Sequence, residues 1–166
     1  MLGGYTGTIL RIDLKSGKNK KEPLKEDVAR QYLGGSGLAT KILFDELKPG
    51  IDPLGPDNKL ILTGGVMAGT LSDGGGSWQA VTKSPLTGIW AASRSGGFFG
   101  PEIKYAGYDM IILENRAEKP VYVWINNDEV ELKDAKNVWG KTIPEAERQV
   151  CLATGTVSIS LFRLYL

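Results

Sequence analysis

Apolar and polar residues alternate over residues 6–14, which predicts a strand, and Ser16-Gly17 supplies the turn of an amino-terminal hairpin. Two short helices are expected next. The first covers 26–33, with acidic residues in its first turn and Gly34 as its stop. The second covers 38–47, with an apolar face of Leu38, Ile42, Leu43 and Leu47. After a Pro/Gly/Asp loop, residues 59–63 read as a short buried strand. A glycine-rich loop (64–76) leads to strands at 77–83 and 89–94, joined by the turn Ser84-Pro85-Leu86-Thr87-Gly88. Residues 97–106 predict a helix with Pro101 near its first turn. Strands follow at 109–114, 121–126 and 130–133, the last two joined by Asn127-Asp128. Thr142-Ile143-Pro144-Glu145 has the form of a capping box opening a final helix that Gly155 ends.

Strands outnumber helices and do not alternate with them as βαβ units, so the pattern predicts an α+β fold. A faint internal echo leaves two pseudo-symmetric lobes open. Leu33-Gly34-Gly35, a helix and the strand at 59–63 parallel Ser95-Gly96-Gly97, a helix and the strand at 109–114.

Composition narrows the chemistry more than the fold. The 166 residues suffice for one core, or two small lobes sharing one. With 42% hydrophobic and 23% charged residues, the chain is too apolar for disorder. A net charge of +1 supplies no field to gather nucleic acid or an anionic membrane, and the Lys-rich run 15–25 reads as a solvated hairpin. One cysteine, Cys151, excludes an intrachain disulfide and a protein-only iron–sulfur or zinc site. The absence of histidine removes Ser/His and Cys/His nucleophiles. Catalysis here would need a cofactor. No basic-then-apolar leader and no long apolar run is present, so a cytoplasmic location without a membrane is expected.

Glycine is the outlier, at 22 residues, gathered in clusters such as Gly34-Gly35-Ser36-Gly37, Gly74-Gly75-Gly76 and Gly96-Gly97. Tight turns are one explanation, and close approach of backbone to a ligand is the other. Two of the clusters open helices, where free N–H groups suit anions. Neither has dinucleotide-fingerprint or P-loop spacing. Among the carboxylates, Asp45, Glu46, Asp52, Asp57, Asp128, Glu129 and Glu131 read as solvated, and Glu102 is the one with a candidate site role beside its helix-dipole role. Trp78, Trp90, Trp124 and Trp139 read as core or interface anchors.

Several segments in order resemble the amino-terminal domain of the aldehyde ferredoxin oxidoreductase family. They are Tyr5-Thr6-Gly7 with Ile12-Asp13-Leu14, residues 32–39 (YLGGSGLA), residues 81–88 (VTKSPLTG), and residues 95–109 from Ser95-Gly96-Gly97-Phe98-Phe99-Gly100-Pro101-Glu102 to Asp109. Residues 117–122 (AEKPVY) and Val138-Trp139-Gly140 complete the likeness, which runs from residue 5 to about 154.

That resemblance implies a β-rich base under a bis-pterin tungsten (or molybdenum) cofactor whose metal is held by dithiolene sulfurs. It implies aldehyde oxidation to carboxylic acid, with electrons leaving through a [4Fe–4S] cluster to ferredoxin. By resemblance, the pterin contacts fall at Ser77, Arg94, Gly96 and Gly97, and no residue of this chain is a metal ligand or catalytic. Two positions depart from the family, which usually has arginine at 77 and asparagine at 94. A four-residue loop at the Pro-Leu-Thr-Gly turn sets Arg94 opposite Gln79, a two-residue loop sets it opposite Ser77, and either leaves Ser77 and Arg94 on one face. Two readings follow: the guanidinium is resupplied from the neighbouring strand, or the site has decayed and Arg94 is a surface charge.

The family-like domain is expected over 1–156, and 157–166 as an apolar tail outside it. The cluster cysteines and acid–base groups of the family would lie on carboxy-terminal domains or a companion subunit, leaving this chain inactive alone. Two other classes stay open: a non-catalytic pterin- or anion-binding module, and an assembly domain. Self-association is expected through a face carrying Trp78, Trp90, Phe98 and Phe99.

Overall fold

The computed structural model describes residues 3–155. Its elements in chain order are β1 (Thr8–Asp13), β2 (Asn19–Pro23), α1 (Glu26–Tyr32), α2 (Gly35–Glu46), β3 (Lys59–Gly64), β4 (Trp78–Lys83), β5 (Trp90–Ser95), α3 (Phe99–Tyr105), β6 (Met110–Glu114), β7 (Val121–Asn126), β8 (Glu129–Asp134) and α4 (Ile143–Thr154). The fold is α+β, as the pattern of strands and short helices predicts. The expected tail at 157–166 lies outside the described residues.

A six-stranded sheet in the order β2-β1-β6-β3-β4-β5 organises the domain, with β7-β8 as a separate two-stranded ribbon. The β1–β6 pair is parallel and every other pair in the larger sheet is antiparallel. Alternation divides the core into two layers. On one face Ile9, Ile61, Val81, Met110 and Ile112 meet Leu38, Ala39 and Leu43 of α2. On the other, Leu10, Ile12, Leu62, Ile111 and Leu113 meet Ile103 of α3 and Tyr108, with Val123, Ile125, Val130 and Leu132 of the ribbon packed against them. The Tyr108 hydroxyl donates to the Asn127 carbonyl at 2.7 Å, tying the ribbon's turn to the sheet. The echoed units therefore share one sheet: β3 and β6 are antiparallel neighbours, and α2 and α3 pack on opposite faces.

Helix starts differ from the pattern by two or three residues, for reasons of backbone shape. The left-handed residue after α1 is Leu33 (φ 59°), not Gly34, which is extended. The Tyr5 hydroxyl donates to the Leu33 carbonyl at 2.6 Å and fixes this reversal. Gly35, also at positive φ (56°), completes the turn, and Ser36-Gly37 continue as the first turn of α2. Gly37 permits it, since a Cβ there would lie 2.6 Å from the Tyr32 carbonyl oxygen. Conversely Gly97 has φ 102°, which no helix accommodates, and α3 begins at Phe99. In α4 the Glu145 carboxylate accepts from the Thr142 N–H and hydroxyl, as the capping box predicts, and Gly155 ends the helix in left-handed geometry.

Candidate functional site

The glycine-rich segments converge at one end of the sheet. The last residue of β3, the first of β4 and the last of β5 stand side by side, as Gly64↔Trp78 and Trp78↔Ser95. A Cβ on Gly76 would meet the Gly97 carbonyl oxygen at 3.0 Å, and one on Gly100 would meet the Ser77 carbonyl oxygen at 2.6 Å. The loop before β4 thus lies directly on the segment between β5 and α3. Much of the glycine at this end serves contact of the chain with itself. Gly96 and Gly97 differ, because nothing lies within 4 Å of a Cβ at either.

Arg94 and Ser77 come together here. In the β4–β5 hairpin the Ser84 N–H donates to the Ile89 carbonyl at 2.8 Å, and the Gly88 N–H donates to the Ser84 carbonyl at 2.8 Å. Gly88 takes the left-handed φ of 69° that this loop needs. The resulting register pairs Gln79 with Arg94 and puts Ser77 on the Arg94 face. Arg94 Nη2 donates to Ser77 Oγ at 3.0 Å. The hydroxyl oxygen is used as an acceptor, so its own proton is free to be donated elsewhere.

Gln79 was not singled out by the sequence. It lies beneath the start of α2, with its Oε1 3.5 Å from where a Gly35 Cβ would be. That oxygen is buried and has no hydrogen-bond partner among the described residues. No local motif marks it, because only the fold brings β4 under α2. Glu102 is exposed in the first turn of α3, a position the helix dipole favours. The apolar face expected around four aromatics is divided. Trp78 and Phe99 stack edge to face at 4.8 Å and pack on the α3 side of the core, leaving Trp90 and Phe98 exposed.

Two charge clusters escaped the sequence reading. Asp109, only 4% exposed, pairs with Lys104 and accepts from the Thr6 and Gly7 N–H groups at 3.1 and 2.7 Å. At the far end of the sheet Arg11 binds Glu22, Glu46 and Glu114, and Lys59 binds Glu46 and Glu114. Glu46 is exposed, as its place at a helix end implies, but its carboxylate is also held by Arg11 of β1 and Lys59 of β3. Burial alone would raise the Glu46 pKa, but hydrogen bonds and charge from Arg11 and Lys59 hold it below the usual value. Glu22 is lowered in the same way, with burial opposed by Lys20 and Arg11. For Arg11, burial would lower the pKa, but bonds to Glu46 and Glu114 outweigh it and raise the value.

A concavity of about 590 Å³ between the β7-β8 ribbon and α4, lined by Tyr122, Asp134, Asn137 and Gln149, uses none of the glycine-end residues. Among the described residues no group of His, Cys, Asp and Glu could hold a metal ion, and no helix is long and apolar enough to cross a membrane.

Residues 9–161 match the family described as "Aldehyde ferredoxin oxidoreductase, N-terminal domain". The chain belongs to that family. It is 42% identical over 158 residues to a tungsten-containing aldehyde ferredoxin oxidoreductase of Pyrococcus furiosus, and 47% identical over 147 residues to that of Pyrococcus horikoshii. These alignments cover 95% and 89% of this chain but 26% and 24% of the relatives. The chain thus spans about a quarter of the length of the curated relatives it matches. Among solved structures, the active site complex BamBC of benzoyl coenzyme A reductase, bound to 1,5-dienoyl-CoA, is similar with a TM-score of 0.92 at 37% identity. That likeness covers 95% of this chain and 24% of the other. In aldehyde ferredoxin oxidoreductase terms, then, the sheet end with Ser77, Arg94, Gly96 and Gly97 belongs to the amino-terminal domain of an oxidoreductase family whose relatives contain tungsten.

Proposed function

We propose that the glycine end is the floor beneath a bis-pterin tungsten cofactor, touched by Ser77, Arg94, Gly96 and Gly97. The observation that carries this reading is the Arg94–Ser77 hydrogen bond beside two glycines with open space above them. These features fit a tungstopterin. Its anionic oxygens suit a guanidinium, and its flat rings need backbone without side chains at close range. When bound, the cofactor supplies two-electron redox chemistry at a metal held by dithiolene sulfurs. The residues of this chain bind and orient: Arg94 donates to anionic oxygens, Ser77 donates its free hydroxyl proton, and the backbone at Gly96 and Gly97 admits the rings.

In the complete protein we assign oxidation of an aldehyde to a carboxylic acid, with ferredoxin as electron acceptor. The isolated chain is inactive on this reading. A [4Fe–4S] cluster needs ligands beyond the single Cys151, from carboxy-terminal domains or a companion subunit. The names of the relatives support dividing the work this way. An aliphatic sulfonate oxidoreductase WOR-like subunit of Pyrococcus furiosus shares the domain at 40% identity, as does the benzoyl coenzyme A reductase complex at 37%. A domain common to relatives named for such different substrates fits a shared cofactor better than substrate choice.

The test is pterin and tungsten retained by the chain after anaerobic purification from tungstate-supplied cells, alone and with any companion subunit. Arg94→Ala is expected to lower retention roughly 10- to 100-fold, the worth of a charge-assisted hydrogen bond of about 1.5–3 kcal/mol, without moving the unfolding midpoint. Unchanged retention would mean that Arg94 is an ordinary surface charge. A chain that takes up no pterin but self-associates would favour the assembly-domain reading.

A further inference from the structure

We infer that Gly65 is a further contact of the cofactor proposed above, and that Gly65, Ser77 and Gly96 form one shelf across three strands. The inference rests on the cofactor reading and extends it to a residue on β3's side of the site.

The argument starts from what each glycine is for. Among the described residues every glycine but three has one of two reasons for being glycine within the chain itself. Either it takes a positive φ, or chain atoms lie within 3.2 Å of where its Cβ would stand. The exceptions are Gly3, near the start of the described chain, and Gly65 and Gly96. For these, backbone conformation and packing would both accept a side chain.

Their positions are related. Gly64, Trp78 and Ser95 form one row across β3, β4 and β5. The residues just past these paired ends are Gly65, Ser77 and Gly96, which follow β3, precede β4 and follow β5. The two unexplained glycines therefore flank Ser77, the residue that Arg94 holds at 3.0 Å. Continued by one residue, the register sets side chains at 65 and 96 beside the Ser77 hydroxyl on the Arg94 side. Three strands at normal spacing make this shelf about 10 Å across. It carries one small hydroxyl and is bordered by one guanidinium. A flat heterocycle with an anionic substituent matches both features: the rings lie on bare backbone and the charge meets Arg94. A purely structural turn would not need glycine at both flanks.

The experiment compares Gly65→Ala and Gly65→Leu with the parent chain, purified anaerobically from tungstate-supplied cells. Two quantities are read: the thermal midpoint, and the retained pterin, measured by its fluorescence after oxidative release. Gly65→Ala is expected to unfold at or above the parental temperature. Gly65→Leu is expected to fold and to retain at least tenfold less pterin. A lower midpoint for Gly65→Ala would show that the fold itself requires this glycine and would overturn the inference. So would parental pterin retention in Gly65→Leu. If Arg94→Ala loses pterin while Gly65→Leu keeps it, the cofactor reading stands and only the shelf fails. A parent chain that holds no pterin overturns both.

Discussion

The two ends of the six-stranded sheet are built on opposite terms. At the carboxy-terminal end of α2, Arg11 and Lys59 are shared among Glu22, Glu46 and Glu114, so five charged side chains satisfy one another. At the amino-terminal end of α2, the sheet finishes in glycine, serine and one exposed arginine. The first end pairs its charged groups with one another. The second leaves a guanidinium, a hydroxyl proton and bare backbone facing outward. The stability of that open end comes from beneath, where Lys104 of α3 and Asp109 pin the amino-terminal segment to the sheet.

That contrast breaks most visibly at Asp109. Replacing it with Ala removes the counter-charge of the Lys104 ammonium, 8% exposed, leaving it the Gly4 carbonyl and the Tyr5 ring, and frees two N–H groups. A loss of about 3–5 kcal/mol in urea unfolding is expected, the usual penalty for breaking a buried pair. A loss near zero would mean that the glycine end needs no brace. Next in size is Gly100→Ala, whose Cβ would stand 2.6 Å from the Ser77 carbonyl oxygen. Its expected cost is about 1–3 kcal/mol, as for other overpacking changes. Against the neutral result expected at Gly65, this separates glycines serving the fold from those serving a ligand. The smallest effect lies at the charged end and depends on pH. The folded Glu22 and Glu46 pKa values are depressed, so their contribution is fully present above the unfolded value of about 4.3. It is lost as pH falls through the lower, folded values. Stability should therefore drop on acidification below about pH 4.3, and Glu46→Gln should flatten that drop in pH-dependent thermal unfolding.

Local features of the fold were legible because short segments determine them. The Ser84–Gly88 turn allowed two registers, of which the four-residue loop is found, and both put Arg94 and Ser77 on one face, where they meet. The capping box at Thr142 and the stop at Gly155 were readable for the same reason. What was not legible depends on distant chain. Nothing near Glu46 in sequence shows the ion pairs that β1 and β3 bring to it through Arg11 and Lys59, and Asp109 looks ordinary until residues 6 and 7 fold onto it. Gly65 is indistinguishable in sequence from Gly64, yet a Cβ on Gly64 would strike Ala68 at 2.9 Å while Gly65 faces open space.

The placement of β6 carries a consequence for how the chain assembles. The β1–β2 hairpin and the antiparallel group β3, β4 and β5 are each made of strands close in sequence, but they join into one sheet only through β6, which lies between β1 and β3. Ile9 must therefore find Met110 across about a hundred intervening residues before the sheet exists as one piece. Until then, the apolar edge of each half is open to the wrong strand. Pairings of such separation are slow to close, because the entropy of the loop is lost before the contact rewards it. During synthesis the strands before β6 emerge as two groups that share no ladder, and the arrival of Met110–Glu114 joins them into one sheet.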